Sequence, residues 1–317
     1  MSPPRSAPRR SPPGCSATWT GWSLPDRFNF LYPLSVAGPI TESSWRAVRG
    51  SLARTAERFA RLVETAEHPE AAAIGRWTVA ETAAHVATVA ELYAAVLPGV
   101  SPPRPIPGAA ARVEATALDE LGDLNALALD QLTERAPAAL AERVAEDVGR
   151  LLDAGRTAEP DQLVSWLGGA RLPLAGCYAH LLNELHLHGR DIASAIGARW
   201  PIPHNDAAMA FELFLVQLLS HDTGRLLVHE PFSDRPVSVR FRSRYTAPVV
   251  LEARRDRIAV LPGDHPADAQ LHFQPAALMQ VLFGRLSVVR AACTGKTLVW
   301  GRKPWSLARF LGAVRFP

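Results

Sequence analysis

The segment CYAHLLNELHLHGRD places His180, Glu184 and His188 at successive steps of four residues, with Asp191 three further on. On an α-helix that spacing stacks the four side chains along one face. A carboxylate among imidazoles is costly to bury unless a counter-charge or hydrogen bonds compensate it. A divalent cation supplies such a charge. Glu184 and His188, one turn apart, can grip one ion, and a third donor from a facing helix would leave positions open for an exogenous ligand. His85 is the candidate third donor, because it stands alone in the otherwise apolar run AAHVATVAELY. A lone histidine is more often a packed core residue, so the combination carries the weight, not any one member. His180 and Asp191 lie one turn beyond on either side, where groups that orient metal-bound imidazoles belong. His186 falls on the opposite face and is expected at the surface. Cys177 reads as a small buried hydrophobe. Nitrogen and oxygen donors of this kind suit Zn2+, with Ni2+, Mn2+ and Fe2+ also compatible.

Two helices must then face each other. Thr78, with Glu81 three residues on, has the form of a capping box and opens a helix to about Leu97 that carries His85. The second helix runs from Leu174 to Ile196 and stops at Gly197, in the position of a terminating glycine. Ahead of both, Thr41 caps a helix to about Glu67. Leu118 to Arg135 and Ala138 to Leu152 read as helical and form one further helix, kinked in one reading, with Pro137 marking either a break or a first turn, and Asp206 to Leu219 reads as another. Residues 98–107 are expected to be loop because five of the ten are proline. Gly155 to Leu174 is also read as loop.

After about Gly224 the pattern alternates. Strands are expected at 237–242, 248–253, 257–261, 269–273 and 297–300, with helices at 275–283 and from Pro304 to about Val314. The resulting fold class is α+β with two domains: a helical one over 41–223 and a small α/β one over 224–317. Residues 1–40 form an N-terminal extension. Its first eighteen or so, rich in Pro, Ser and Arg, are expected to be disordered, and the aromatic stretch Trp19 to Pro33 to pack on the body.

The 317 residues, 48% hydrophobic, are enough for two buried cores. The net charge of +3 is matched by Arg5, Arg9 and Arg10 alone, so nothing argues for a nucleic-acid partner. Three scattered cysteines, Cys15, Cys177 and Cys293, fit a reducing compartment and a cytoplasmic location. No run is long enough for a membrane span, and the start lacks the apolar core of a signal peptide. A monomer or a homodimer is expected.

The combination of Trp77-Thr78-Val79 with His85, the series His180, Glu184, His188 and Asp191, then Phe283-Gly284-Arg285-Leu286 and Lys303-Pro304 resembles the mycothiol-dependent maleylpyruvate isomerase family. The resemblance runs from about Thr41 to Pro317. It implies a DinB-like four-helix metal-binding domain followed by a domain similar to sterol carrier protein 2. It also implies His85, Glu184 and His188 as metal ligands and mycothiol as the thiol cofactor. Arg285 and Arg112 are the arginines available to hold the carboxylate of a small-molecule substrate. The implied chemistry is addition of a metal-bound thiolate to a conjugated acid, rotation and elimination, or alternatively transfer of the sulfur. Two other readings stay open: a metal enzyme that activates water without a thiol, and a non-catalytic carrier whose structural metal is closed by His180. A regulator of the anti-sigma type would want a cysteine near the ligands, and only Cys177 qualifies.

Overall fold

Reciprocal capping starts the two helices that the sequence marks most clearly. At the head of α1 (Glu42–Glu64) the Ser44 N–H donates to Thr41 Oγ1, and Ser44 Oγ accepts from the Thr41 N–H. Trp45, Val48, Leu52, Phe59 and Val63 form its buried stripe. A hairpin of β1 (Ala72–Ile74) and β2 (Trp77–Thr78) leads into α2 (Val79–Val96), where Thr78 and Glu81 cap each other in the same way. The computed structural model describes residues 40–97, 99–100, 108–221, 235–254 and 257–314. The expected N-terminal extension up to residue 39, most of the proline loop and the domain boundary near residue 224 lie outside the described residues.

Helix α3 (Ala109–Ala115) has no counterpart in the sequence reading, being barely two turns long. The single kinked helix expected over 118–152 is two: α4 (Leu121–Gln131), preceded by a 3-10 turn, and α5 (Pro137–Ala154). Pro137, with no N–H to donate, sits in the first turn of α5, where none is needed, and so begins a helix instead of bending one. The expected loop before Leu174 contains a second hairpin, β3 (Leu163–Ser165) with β4 (Arg171–Pro173). Strands of three residues are too short to display a period.

Helix α6 (Leu174–Ala195) ends at Ile196, and Gly197 follows with φ +70°. The chain then turns into α7 (His204–Met209), a π-helical stretch (Ala210–Val216) and α8 (Gln217–His221). Helices α1 and α2, the π stretch and α7 all pack on α6, and every residue from Leu174 to Ala193 except Arg190 is buried. Glycine also permits the turn after α6 to lie close against it: a Cβ at Gly189 would stand 2.4 Å from the Trp200 ring. Among the described residues, no helix is long and apolar enough to cross a membrane.

Beyond residue 235 the alternation produces one sheet of β5 (Val237–Ser243), β6 (Thr246–Arg254), β7 (Arg257–Pro262), β8 (Ala269–Phe273) and β9 (Thr297–Gly301), in the order β7-β6-β5-β8-β9. All neighbours are antiparallel except β5 and β8, which run parallel. Val239 stands opposite Leu251 and Ala269, and Phe241 opposite Val249 and Leu271, so one face is continuously apolar. Helices α9 (Pro275–Leu282), α10 (Val288–Cys293) and α11 (Ser306–Ala313) complete this part. Phe211 of the π stretch contacts Phe241 and Phe273 at ring distances of 5.7 and 5.1 Å, joining the helical part to the sheet. The architecture is α+β, helical first and a five-stranded sheet second.

Candidate metal centre

Helix α2 delivers His85 to α6 opposite Glu184 and His188. Both imidazoles present Nε2 to the same carboxylate oxygen: His85 Nε2 and His188 Nε2 each lie 3.4 Å from Glu184 Oε2. One donor atom from each of the three residues falls within 4.8 Å of the others, and all three residues are buried. His180 Nε2 approaches the other oxygen, Glu184 Oε1, at 3.7 Å. His85 and His188 meet edge to face at 4.9 Å, and Trp77 covers His85 at the same ring distance.

Behind these groups stands a further set of partners. His188 Nδ1 is 3.3 Å from Asp191 Oδ2, which also accepts from Arg285 at 3.0 Å. Tyr93 Oη lies 2.8 Å from His180 Nδ1 and accepts from Trp166 Nε1 at 3.1 Å. Burial holds His85 and His180 below the ordinary histidine range, that is, neutral. Burial would lower His188 as well, but Asp191 and Glu184 outweigh it and raise the group. Burial would likewise raise Glu184, yet hydrogen bonds from His188 and His85 hold it well below the usual carboxylate range.

The three residues open onto a cavity of about 390 Å3, lined further by Arg76, Trp77, Val89, Asn125, Leu167, His180, Phe283 and Arg285. Phe283 and Arg285 come from the turn after α9, so the sheet-containing part supplies one wall. Arg285 therefore stands at the site, whereas Arg112 is exposed on α3 and does not line the cavity. Arg76, Asn125, Tyr93 and Trp166 were missed in the sequence. Tyr93 follows His85 by two helical turns and could have been found from that spacing. Arg76 in a hairpin turn, Asn125 on α4 and Trp166 in an irregular segment carry no such signal.

His186 corrects the sequence reading. It is 2% exposed, with Nε2 2.9 Å from Asp206 Oδ2. The opposite face of α6 is covered by α1 and α7, so it is an interior face and not a surface. Cys177 is buried, as expected of a small hydrophobe, and burial pushes its thiol well above the usual range.

Residues 49–193 match the family described as the mycothiol maleylpyruvate isomerase N-terminal domain. That region of the chain is similar to this domain family. Two solved structures of the mycothiol-dependent maleylpyruvate isomerase, one of them a histidine-to-alanine mutant, are 15% and 17% identical, with TM-scores of 0.43 and 0.44. They cover 77% and 78% of this chain and 90% and 91% of their own. A stereoselective inverting sec-alkylsulfatase from Pseudomonas sp. is 14% identical, with a TM-score of 0.28, over 68% of this chain and 33% of its own. No curated protein matches the chain.

Proposed function

We propose that this protein is a divalent-metal-dependent enzyme that uses a low-molecular-weight thiol, mycothiol by its family, to isomerise or thiolate a small conjugated or electrophilic acid of the maleylpyruvate kind. The observation that carries this reading is the convergence of His85 Nε2, Glu184 Oε2 and His188 Nε2 at the wall of an open cavity. Bonds of about 2.0–2.1 Å to a tetrahedral ion put neighbouring donors about 3.3–3.4 Å apart. The two nitrogen–oxygen separations of 3.4 Å fit that edge, and they are long for hydrogen bonds. The donor set thus suits an ion held by His85, Glu184 and His188, with Zn2+ the first choice and Ni2+, Mn2+ or Fe2+ compatible.

When bound, the ion and the thiol would supply a nucleophile at neutral pH, because a thiol coordinated to a divalent cation is deprotonated, and reversible addition of sulfur to a conjugated double bond permits cis–trans isomerisation. The chain's own residues do the rest. Asp191 orients the His188 ring through Nδ1. Arg285, held by Asp191 and by the Phe283 carbonyl, turns a guanidinium to the cavity and binds a substrate carboxylate there. Trp77, Val89, Leu167 and Phe283 give the reacting end apolar walls. The helical part is read as a DinB-like four-helix bundle over 41–223 and the sheet part, 224–317, as a cover similar to sterol carrier protein 2; Arg285 and Phe283 on the cavity wall support that division of labour. A thiol cofactor needs a reducing compartment, which agrees with a cytoplasmic location.

The test is elemental analysis of purified protein beside His85→Ala and Glu184→Ala, with turnover of a conjugated acid assayed with and without mycothiol. About one ion per chain, lost in both variants, is expected, together with activity that requires the thiol. Wild-type protein that binds no metal would sink the reading, and activity indifferent to thiol would replace it with metal-activated water.

A further inference from the structure

We infer that Trp166 and Tyr93 fix His180 as an Nε2–H donor, which keeps it out of metal coordination and holds the centre at three protein ligands. The inference rests on the proposed metal reading of His85, Glu184 and His188.

The direction of the hydrogen bonds decides the argument. An indole N–H can only donate. Trp166 Nε1 lies 3.1 Å from Tyr93 Oη, so Tyr93 accepts at that contact. The hydroxyl carries one proton of its own, and Tyr93 is 5% exposed, so this proton needs a protein acceptor. His180 Nδ1 stands 2.8 Å away. Were Nδ1 protonated, two donors would face each other and the buried hydroxyl proton would have no acceptor. Tyr93 therefore donates, Nδ1 accepts, and the ring proton sits on Nε2. A nitrogen that carries a proton has no lone pair for a metal.

The carboxylate of Glu184 is divided accordingly. Its Oε2 faces the two imidazoles of the candidate centre at 3.4 Å, and its Oε1 faces His180 Nε2 at 3.7 Å. The His180 ring is also held in place, with Phe214 at 4.6 Å and Trp166 at 5.5 Å, both edge to face. Without this chain of donors His180, one turn from Glu184 on the same helix face and with Nε2 3.7 Å from Glu184 Oε1, would be free to turn towards the ion as a fourth ligand and enclose it. Tyr93 and Trp166 act through His180 and are positioning residues: they preserve the opening that an exogenous thiol requires.

The measurement is long-range proton–nitrogen NMR on histidine-15N-labelled protein, metal-free and loaded with 113Cd2+, with His180 assigned through His180→Gln. Expected are a proton on His180 Nε2 and a bare Nδ1 in both states, and cadmium–nitrogen coupling to His85 and His188 alone. A proton on Nδ1, or coupling to His180, would overturn the inference. Tyr93→Phe should release the ring and add a His180 coupling; an unchanged Nε2–H in this variant would remove Tyr93 from the role. The wild-type spectra decide the matter even if that variant folds poorly. Absence of cadmium binding would defeat the metal reading separately, leaving the metal-free spectrum to judge the donor chain.

Discussion

Helix α6 carries a histidine–carboxylate cluster on each of two faces, and the two are built differently. On the face toward α1 and α7, Asp206 takes one partner per oxygen: His186 Nε2 at 2.9 Å on Oδ2 and Ser51 Oγ at 2.9 Å on Oδ1, with Arg54 donating to Ser51 at 3.1 Å. Each contact has ordinary hydrogen-bond length, and neither His186 nor Asp206 lines the cavity at the candidate centre. On the cavity face, one carboxylate serves three imidazoles at 3.4–3.7 Å. All three separations are too long for good hydrogen bonds. A buried histidine–acid pair is therefore no sign of function by itself. The sign is a set of nitrogens held around one carboxylate at more than hydrogen-bond length beside open space, a spacing that a shared cation would satisfy better than direct hydrogen bonds do.

The comparison breaks first on stability. Asp206→Ala should cost about 3–5 kcal/mol, since it strands His186 and Ser51 in the interior. Glu184→Ala in metal-free protein should cost under about 1.5 kcal/mol, because its partners adjoin a cavity that admits water. Urea unfolding of both variants without metal checks this, and equal losses would erase the distinction between the two faces.

A half-buried carboxylate sharpens it. Glu212, on the π stretch, has the Ala247 N–H at 2.8 Å as its hydrogen-bond donor, and burial pushes it up from 4.5 to about 7. The folded state thus holds this proton more tightly than the unfolded chain does. Its stabilisation is complete below the unfolded value of 4.5, is lost as pH rises towards about 7, and amounts in all to about 3 kcal/mol. Glu212→Gln keeps an acceptor for Ala247 without the titration, so its stability should lack that slope; an unchanged slope in thermal melts across this range would assign it elsewhere.

The smallest effect concerns the two arginines. Arg285→Ala should lower kcat/KM for a carboxylate substrate roughly ten- to a hundredfold, the worth of about 1.5–3 kcal/mol for a hydrogen bond to a charged group. Arg112→Ala should leave it unchanged. Steady-state kinetics on the metal-loaded variants separates them.

What could be read in advance follows from the reach of each signal. The capping pairs Thr41–Ser44 and Thr78–Glu81 are local, so helix starts were legible, and the four-residue step placed His180, Glu184 and His188 on one face before any packing was known. Strand β8 coincides with its expected span because its alternation is bounded by polar residues. His186 was misjudged because polarity marks a face as distinctive without saying whether another helix covers it. The choice between Arg112 and Arg285 was equally closed to sequence, since it depends on how the turn after α9 meets α6. Helices α3 and α10 are too short to show a period.

The π-helical stretch bears on whether this protein can be cut. Within four residues it sends Phe211 into the sheet core and Phe214 against His180, while Glu212 binds the backbone where β6 begins. A fragment ending at His221 would leave Phe211 without its aromatic neighbours and the cavity without Arg285 and Phe283. Modular as the chain looks on paper, its helical half is not a free-standing catalyst to be grafted or trimmed, because its wall is finished by residues nearly a hundred positions downstream.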